Sequence, residues 1–483
     1  MRWFIALLIG ASTWASTPAV AAATATRGPW AQLALGDLRA VHDLIRDNHP
    51  GAVDPQNPTF RHWLETGLAQ SETEAAAAEN YADYRRSLRR YVNGFRDIHV
   101  ALDVVSTTGQ GVWPGFIVAA GDKDAATVRV SEEKALPVGS ELLGCDGQTL
   151  DQLLAGRVDP YFYNNDIPHW RRDFYNRLFY LPRTDTKRLS SCRFKTAAGV
   201  VARPLEWREV ADDKFTTLFQ KANDAVDLPP MGLSQVDGIW YIRIPTFGGY
   251  NIEETRKDLA ALEADITKNV DALRTAPKIV IDVRDNNGGD SSWGNRIAYA
   301  LWGKGMIDSI VQTVSSKEYT EFRASPANLA HYRAMAADPG ANPQVKEYAT
   351  AAVSAMADAL SHGQALAPVK EPIQATIVAP ANTVHGKVYV LTRGCGSACL
   401  DFLDVVLHTP GVVQVGLPTL ADAVYMESSG LVSLPSGLAA VAYPTKVIRD
   451  RVRKHNEWYE PKIRWSGGPM TEQALSEWIK SLP

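Results

Sequence analysis

The chain has 483 residues, of which 45% are hydrophobic, and a formal net charge of −4. A chain of this length can bury a sizeable core, and the length suggests roughly two to four domains. The sequence has no basic block and no long acidic run. Its charge pattern therefore gives no support to nucleic-acid binding, and we expect no nucleic-acid partner.

The N-terminal segment has the pattern of a secretory signal peptide. Arg2 precedes an apolar stretch, which is followed by small residues that include Ala19 and Ala21. This order is typical of an exported protein whose leader is removed, so we expect residues 1–23 to be cleaved. The alternative is a membrane anchor, but the apolar run is too short to span a bilayer. We expect a periplasmic or extracellular protein with no stable membrane span.

Residues 24–105 are predicted to form an N-terminal helical region. The segment "PWAQLALGDLRAVHDLIRDNHP" has apolar residues at spacings of three and four and ends in His-Pro. The segment "AAAAENYADYRRSLRRYVNGF" has the same spacing and ends at Gly94. Both patterns predict amphipathic helices. The following "DIHVALDVV" alternates like a β-strand.

Residues 106–206 are predicted to form a small β-rich module. The segments "ATVRVS", "GSELLGCDGQTL" and "LSSCRFKTAAG" combine strand and turn signals. The run "LPVGSELLGCDGQTLDQLL" resembles the PDZ pattern of a strand, a tight Asp-Gly turn and a helix. Residues 158–188 would then be an insertion. The alternative is any other small β domain.

From about residue 236 to 483 the pattern changes to alternating strands and helices. "IWYIRIPTF", "KIVIDVR", "KVYVLT" and "VVQVGLP" look like buried strands, and amphipathic segments separate them. This alternation predicts a largely parallel sheet with helical crossovers, and therefore an α/β domain within an α+β protein. Residues 317–366 are rich in alanine and are expected to form a helical insertion.

The four cysteines of an exported chain permit two disulfides, with three possible pairings. Cys145 and Cys192 both lie in strand-like runs of the β-rich module, which favours pairing them. Cys395 and Cys399 could then form the second bridge, which requires Cα atoms within about 7 Å. The alternative for this second pair is a structural metal site, but no further cysteine or histidine ligand is adjacent.

The segment "VLTRGCGSACLDFLDVV" places Ser397 between an apolar strand and a predicted helix. At a helix N-terminus, free N–H groups can stabilise an oxyanion, so Ser397 is a candidate nucleophile. The alternative is that Ser397 is an ordinary N-cap. The Gly-x-Ser-x-Gly pattern does not fit, because cysteines occupy both glycine positions. A Ser-x-x-Lys motif is also absent, since Leu400 stands at the lysine position.

The segment "IVIDVRDNNGGDSSWGN" is the second candidate site element. A buried strand ends in Asp282-Val-Arg284, and Gly288 and Gly289 follow. Glycines at a strand end let the backbone approach a ligand and turn N–H groups towards it. The alternative is a simple Asn-Gly turn. The glycine pattern does not match either nucleotide phosphate-binding motif.

Taken in order, "YIRIPTF", "IVIDVRDNNGG", "VYVLTRGCGSACLDFLDVV", "VGLPT" and "NEWYEPKI" resemble the catalytic domain of the C-terminal processing and tricorn-like serine peptidases. The resemblance covers residues 239–470. It implies a crotonase-like ββα-type domain, usually preceded by a PDZ-like module. It also implies that Ser397 is the nucleophile. The implied oxyanion hole consists of the N–H of Ala398 and one N–H from Gly288 or Gly289.

The resemblance also bears on the general base. Many family members use a lysine in a Gly-x-x-Thr-x-Gly-Lys run, but here "GLPTLAD" places Asp422 at that position. Lys446 is the nearest later lysine, and nothing in its setting marks it. The tricorn-like branch instead uses a histidine from an Asp-x-His segment. Asp97 and His99 match that segment.

The resemblance further implies Glu457 as the residue that orients His99, with Glu460 as the rival carboxylate. His455 is a minor rival to His99 as the base. Two departures from the family pattern stand out. Ile98 replaces the serine that precedes the histidine in tricorn-like members, and "WYEPK" replaces Gly-Val-x-Pro-Asp.

Other polar residues near these motifs have ordinary interpretations. Asp401 and Asp404 are expected on the outward face of the helix after Ser397. His408 lies eleven residues beyond Ser397, about three helical turns away, and is expected to be structural.

These features predict an exported serine endopeptidase that cleaves proteins or peptides. Ser397 would attack the scissile carbonyl, His99 would act as base, and Glu457 would orient His99. No metal ion and no organic cofactor is expected. The alternative is a catalytically silent protein that keeps the fold to bind extended peptides or apolar ligands. An esterase acting on small acyl substrates is a third possibility.

Overall fold

The computed structural model describes most of the chain after residue 26. The described residues are 27–105, 110–121, 125–134, 136–162, 167–169, 174–183, 185–223, 228–248, 252–341, 343–369, 376–466 and 470–483. The predicted signal peptide lies outside these residues. Among the helices that are described, none is both long and apolar enough to cross a membrane.

The described residues form a mixed α/β fold, as the sequence predicts. The helices are α1 Pro29–Asn48, α2 Pro58–Ala76, α3 Tyr81–Gly94, α4 Leu150–Arg157, α5 Asp212–Ala222, α6 Ile252–Lys268, α7 Val270–Thr275, α8 Ser291–Trp302, α9 Lys304–Val314, α10 Pro326–Ala337, α11 Pro343–Ser361, α12 Ala398–Val406 and α13 Glu472–Ser481. Short 3₁₀ helices span Pro50–Ala52 and Tyr175–Leu178.

The strands fall into several sheets. They are β1 Ala101–Val104, β2 Gln110–Trp113, β3 Phe116–Ala120, β4 Ala126–Ser131, β5 Glu141–Cys145, β6 Gln148–Thr149, β7 Leu181–Pro182, β8 Ser191–Thr196, β9 Gly199–Pro204, β10 Arg208–Ala211, β11 Gly232–Val236, β12 Ile239–Arg243, β13 Lys278–Asp282, β14 Tyr319–Arg323, β15 Leu366–Val369, β16 Lys387–Thr392, β17 Val412–Gly416, β18 Ala421–Asp422, β19 Tyr425–Ser428, β20 Val432–Ser433, β21 Ala439–Ala442, β22 Pro444–Arg449, β23 Glu457–Trp458 and β24 Ile463–Arg464.

The sheet that carries Ser397 has the strand order β11-β12-β13-β16-β17-β24. The first pair is antiparallel and the other four pairs are parallel. Ile279 and Ile281 face the helices α6, α8, α9 and α12, whereas Val280 faces α13 on the other side. Because side chains alternate along a strand, this burial of both faces explains the continuously apolar strand sequences.

The β-rich module is an antiparallel sheet with the order β3-β4-β5-β8-β9, and β6 pairs with β5. The Asp-Gly turn between β5 and β6 forms as predicted, with φ of +48° at Asp146 and +77° at Gly147. Helix α4 follows with a capping box between Thr149 and Gln152. Cys145 and Cys192 are opposite each other on β5 and β8 and form a disulfide.

The N-terminal helices are joined to the C-terminal part of the chain. Helices α1, α2 and α3 share a hydrophobic core with residues of β19, β21 and β22. Strand β1 pairs with β21, with Ala101 opposite Ala442. Since His99 comes two residues before Ala101, this pairing carries the histidine segment into the C-terminal part.

The alanine-rich segment differs in part from its predicted helical structure. Helices α10 and α11 form, but residues 319–323 form strand β14. Strand β14 pairs with β15 and β22. Its sequence, "YTEFR", contains two aromatic residues and a threonine, which favour strands, and pairing on both sides supplies its backbone hydrogen bonds.

Candidate active site

Ser397 lies in a sharp turn between β16 and α12. Its backbone has φ of +51° and ψ of −126°, a conformation that residues with a side chain rarely adopt. The turn is fixed by two hydrogen bonds, from Gly396 N–H to Asn286 O and from Leu420 N–H to Cys395 O, each of 2.9 Å. The strained backbone therefore presents the Ser397 side chain at the end of the parallel sheet.

The hydroxyl of Ser397 does not cap the helix. Ser397 occupies the N-cap position of α12, but it makes no side-chain capping hydrogen bond. The N-cap interpretation thus describes the position of the residue but not the role of its hydroxyl. The side chain is half-buried, so it remains accessible for another function.

The Gly288-Gly289 turn packs directly against Ser397. A Cβ atom added to Gly288 would lie 2.7 Å from Ser397 Cβ and 2.8 Å from Ala398 N. Asn286 Oδ1 accepts the N–H of Gly288 at 2.9 Å, so that N–H is engaged. Within the described residues, the N–H groups of Gly289 and Ala398 have no acceptor. Two N–H groups without an acceptor in the described residues therefore directly follow Ser397 and Gly288 in the chain, those of Ala398 and Gly289.

A buried ion-pair network lies at the end of β13, in the residues that precede the Gly288-Gly289 turn. Arg284 binds both carboxylate oxygens of Asp282, at 2.9 and 2.6 Å. Arg243 adds a contact of 3.1 Å to the same carboxylate. Burial opposes ionisation of Asp282, but Arg284 and Arg243 outweigh it and lower its pKa. Asp282 is therefore a charged partner that fixes Arg284 and Arg243 at the end of β13 rather than a proton donor.

A disulfide encloses the Ser397 turn. Cys395 and Cys399 are bonded, with their Cα atoms 5.4 Å apart. Both side chains are fully buried beneath Ser397. The predicted pairing is confirmed, and the sulfur atoms of this pair are consumed by the bridge rather than available as metal ligands.

His99 is flanked by two carboxylates. Its Nδ1 lies 3.8 Å from Asp97 Oδ1, and its Nε2 lies 3.5 Å from Asp422 Oδ1. Asp97 also accepts the backbone N–H of His99 at 2.9 Å. Both ring contacts are longer than a hydrogen bond, so the imidazole is held loosely between two acceptors.

Asp97 is held in turn by a buried histidine. His49 Nε2 lies 3.0 Å from Asp97 Oδ2, and His49 Nδ1 accepts the N–H of Gly51 at 2.9 Å. This acceptor role places the single ring proton on Nε2, which donates to Asp97. Burial lowers the pKa of His49, in keeping with a neutral ring. No motif in the sequence marks His49 as part of the site.

Asp422 is buried and its two carboxylate oxygens have no hydrogen-bond partner in the described residues. Burial raises its pKa, although His99 and the nearby Arg453 and Arg451 favour its charged form. In the sequence, Asp422 stands out only as the residue at the position of the family lysine. Its position in that motif was the available signal that it lies near the site.

Glu457 lies opposite Asp422, but its side chain is exposed. The two residues are paired across the antiparallel strands β18 and β23. The carboxylate of Glu457 accepts the N–H of Lys454 at 2.7 Å. No ion pair joins Glu457 to His99 among the described residues, and Glu460 binds Trp458 Nε1 instead. The carboxylate beside His99 is therefore Asp422 rather than Glu457.

Short hydrogen-bonded segments link the serine and the histidine. Leu420, which is bonded to Cys395, comes two residues before Asp422. Asn456 donates its backbone N–H to Asp422 O and its side-chain amide to Arg96 O, each at 2.8 Å. In the part of the chain that is described, no hydrogen bond joins Ser397 to His99.

The helix after Ser397 differs from expectation at one residue. Asp404 is buried, and Arg453 and the hydroxyl of Tyr459 bind its carboxylate, at 3.2 and 2.7 Å. Asp401, which is half-buried, accepts from Ser291 at 2.7 Å. The outward face predicted for both is therefore wrong for Asp404, because arginines from the segment before β23 pack against this helix.

The remaining candidate bases lie elsewhere. Lys446 forms an ion pair with Glu427 at 3.0 Å. His408 lies just beyond the end of α12, and its Nδ1 is 2.7 Å from the carbonyl oxygen of Asp404 in the last turn of that helix. His455 Nδ1 accepts the N–H of Val424 at 3.3 Å, and burial lowers its pKa. Each has a structural partner of its own.

Comparison with solved structures identifies proteins of similar fold. Mature CPAF matches with a TM-score of 0.60 and 14% identity, over 94% of this chain and 96% of that one. A mutant of CPAF matches with a TM-score of 0.62 and 13% identity, with the same coverage. Mature CPAF complexed with lactacystin gives 0.59 and 14%, over 94% and 98%. At this identity the likeness concerns the fold alone. A comparison with curated protein sequences finds no match.

A protein-family model matches the C-terminal part of the chain. The model of peptidase family S41 matches residues 238–457, which contain the Gly288-Gly289 turn, Ser397 and Asp422. The matched range begins beside β12, the strand that pairs with β13, and ends at Glu457 in β23. Residues 238–457 therefore match peptidase family S41, and the protein is a serine-type peptidase.

Proposed function

We propose that the protein is an exported serine endopeptidase that uses Ser397 as its nucleophile. The single observation that carries this assignment is the strained turn of Ser397, with φ of +51° and a hydroxyl that caps nothing. Backbone strain of this kind costs about 1–3 kcal/mol and persists where the surrounding structure enforces it. A buried disulfide and two backbone hydrogen bonds enforce it here.

The oxyanion that forms during attack would be stabilised by the N–H groups of Ala398 and Gly289. Both lack an acceptor in the described residues, and Ala398 begins α12, whose dipole also favours negative charge. Gly288 brings the two segments together because it has no Cβ. Its own N–H is taken by Asn286, which leaves Gly289 as the donor from this turn.

The base in this proposal is His99, and Asp422 is the carboxylate that orients it. His99 carries the only imidazole in the described residues that lies within 4 Å of Asp422. His99 Nε2 now faces Asp422, and Nδ1 faces Asp97. Proton transfer from Ser397 requires a contact of roughly 2.6–3.2 Å. The imidazole must therefore reorient when substrate binds, and it is held loosely enough to do so.

The reaction would follow the usual sequence for acyl transfer. Ser397 Oγ attacks the scissile carbonyl while His99 takes its proton. The amide C–N bond then breaks, and His99 returns the proton to the leaving amine. A water molecule hydrolyses the ester by the same steps. The carboxylate of Asp422 stabilises the imidazolium that forms in each half-reaction.

The other parts of the chain suit an exported peptidase. We propose that residues 1–23 are a signal peptide, because two disulfides are typical of oxidising compartments. The β-rich module, with its turn at Asp146 and helix α4, is proposed to be PDZ-like. The sheet with α6, α8, α9 and α12 on one face is proposed to be crotonase-like.

The proposal is tested with mature protein and an unfolded protein substrate such as casein. Ser397→Ala should abolish hydrolysis and labelling by a fluorophosphonate probe, which reacts with activated serines. Ser316→Ala is the matched control, because Ser316 is exposed and distant in sequence from every site segment. This control should retain both hydrolysis and probe labelling. Equal hydrolysis by parent and Ser397→Ala would exclude Ser397 as the nucleophile.

A second candidate function is peptide binding without catalysis. The observation that favours it is that no hydrogen bond joins Ser397 to His99 in the described residues. If the parent protein binds unfolded substrate but neither cleaves it nor reacts with the probe, this second function replaces the first. Labelling of the parent that disappears in Ser397→Ala would exclude it.

A further inference from the structure

A second cavity, remote in sequence from Ser397, lies between α3 and the β-rich module. Its volume is about 250 Å³. Arginines dominate its lining: Arg85, Arg86, Arg89, Arg157, Arg177 and Arg183. Among the described residues that line the cavity, the carboxylates are those of Asp185 and Asp212. The cavity therefore carries a strong excess of positive charge.

Both carboxylates are already engaged. Asp185 accepts from Arg86 at 2.6 Å and from the N–H of Lys187 at 2.9 Å. Asp212 accepts from the hydroxyl of Tyr180. Neither acid compensates the arginines deeper in the cavity.

Two of the remaining arginines are occupied at the rim. Arg183 forms an ion pair with Glu209 at 3.0 Å, and both side chains are exposed. Arg157 donates to Lys187 O at 2.8 Å. These two side chains have partners and need no ligand.

Arg85 and Arg89 differ from the rim arginines. They lie one turn apart on the same face of α3, where like charges repel. The Nε of Arg85 is buried without a hydrogen-bond partner. Within the described residues, neither arginine forms an ion pair. Arg89 stacks on the ring of Phe162 at 5.6 Å, and Arg177 approaches the same ring at 4.8 Å.

This arrangement is electrostatically unfavourable without an anion. Burial, followed by the repulsion from Arg85 and Arg177, lowers the pKa of Arg89 to about 9. At neutral pH the guanidinium of Arg89 remains charged, so Arg85 and Arg89 place two cations in a partly desolvated space. A ligand with negative charge would offset this cost.

We propose that this cavity binds a phosphate or sulfate group, free or carried as an ester, through the guanidinium groups of Arg85 and Arg89. A tetrahedral oxyanion with about two negative charges offers several acceptors to the planar forks of arginine. A single carboxylate would neutralise only one of the cations. The ring of Phe162 holds the guanidinium of Arg89 in place by a cation–π contact.

The experiment measures binding by calorimetry, with full-length mature Ser397→Ala protein to prevent self-cleavage. The titrants are inorganic phosphate, phosphoserine and sodium chloride at matched ionic strength. Saturable heat with phosphate or phosphoserine, and none with chloride, is expected. Saturation by inorganic phosphate identifies the free anion as sufficient, whereas saturation by phosphoserine alone identifies an ester as the ligand.

The variants locate the site. Arg89→Gln should weaken binding about tenfold or more, as expected for loss of a charge-assisted hydrogen bond, and Arg85→Gln should act similarly. Arg183→Gln is the matched control and should change affinity less than twofold. If the Ser397→Ala protein with all its arginines shows no saturable binding, the proposal is overturned, whatever the arginine variants do. Equal affinities for phosphate or phosphoserine with and without the Arg89→Gln substitution would overturn it too.

Discussion

The imidazole Nε2 of His99 lies 3.5 Å from Oδ1 of Asp422, a carboxylate that comes more than 300 residues later in the chain. Asp422 and Glu457 are paired across two short antiparallel strands, but only Asp422 is buried. The two residues therefore provide a matched test of which carboxylate orients the histidine.

We expect Asp422→Asn to lower kcat/KM by about 10²- to 10⁴-fold, because the amide cannot stabilise the imidazolium. Glu457→Gln should have a small effect, since in the described part of the chain its exposed carboxylate accepts a hydrogen bond from the N–H of Lys454 and forms no ion pair with His99. The measurement is peptidase activity from pH 5 to 9. A role in orienting His99 predicts a displaced acidic limb in Asp422→Asn, which a purely structural role would not. A larger loss in Glu457→Gln would restore Glu457 as the orienting residue.

The positive φ of Ser397 predicts a trade between stability and activity. Glycine adopts this conformation without strain, so Ser397→Gly should be inactive but more stable to denaturant by about 1 kcal/mol or more. Ser397→Ala, also inactive, keeps the strain and should match the parent in stability. Unfolding followed by circular dichroism in urea compares the three proteins. Equal stability of the two variants would show that the turn is not strained.

The contact between Gly288 and Ser397 predicts that a methyl group is not tolerated there. In Gly288→Ala the new Cβ would lie 2.7 Å from Ser397 Cβ and would displace the turn. A displacement of about 1 Å at a reacting atom can cost 10²-fold in rate. Gly430→Ala is the control, because Gly430 also has a positive φ but no atom within 4 Å of the added Cβ. Activity of Gly288→Ala equal to that of the control would contradict the close packing.

The two disulfides should have separable effects. The bridge between Cys145 and Cys192 closes a loop with a sequence separation of 47, whereas that between Cys395 and Cys399 closes one of 4. Loop entropy predicts losses of stability of about 4 and about 2 kcal/mol for the respective double alanine variants. Only the variant lacking Cys395 and Cys399 should lose probe labelling of Ser397. Full labelling of that variant would mean that the hydrogen bonds alone hold the turn.

The buried histidines predict a loss of stability in mild acid. Burial lowers the pKa of both His49 and His455 in the folded protein. Below the unfolded pKa of about 6.5, the unfolded chain therefore binds protons that the folded chain does not. Stability should fall with decreasing pH from 6.5 towards the lower folded pKa, by up to about 1.4 kcal/mol per histidine for each pH unit.

The pH effect is isolated by comparing variants. Asp422, whose pKa burial raises, acts in the opposite direction and is present in every protein compared. His455→Gln should reduce the loss of stability between pH 6.5 and 5.5, measured by urea denaturation. His362→Gln is the control, because His362 is exposed. An unchanged pH dependence in His455→Gln would exclude its contribution.

The sequence alone determined the elements whose physical causes are local. Apolar residues at helical spacing predicted helices between residues 29 and 94. Short apolar runs separated by amphipathic segments predicted the strands of the parallel sheet. The Asp146-Gly147 turn was predicted from residues that tolerate positive φ. The ordered motifs between residues 239 and 470 indicated a serine peptidase through their resemblance to the C-terminal processing and tricorn-like family, and the local pattern around Ser397 did not indicate it by itself.

The tertiary structure decided what depends on segments distant in the chain. The motif match indicated Glu457, with Glu460 as its rival, and did not identify Asp422 as a partner of His99, because a motif position does not reveal which of two paired strand residues is buried. It did not find His49, since a histidine before a proline gives no sign that it will reach Asp97. The sequence also predicted that Asp404 lies on the outward face of α12, because the arginines that bury it come about 50 residues later in the chain. Burial and charge pairing are properties of the packed chain, and they decide which polar side chains can act on Ser397.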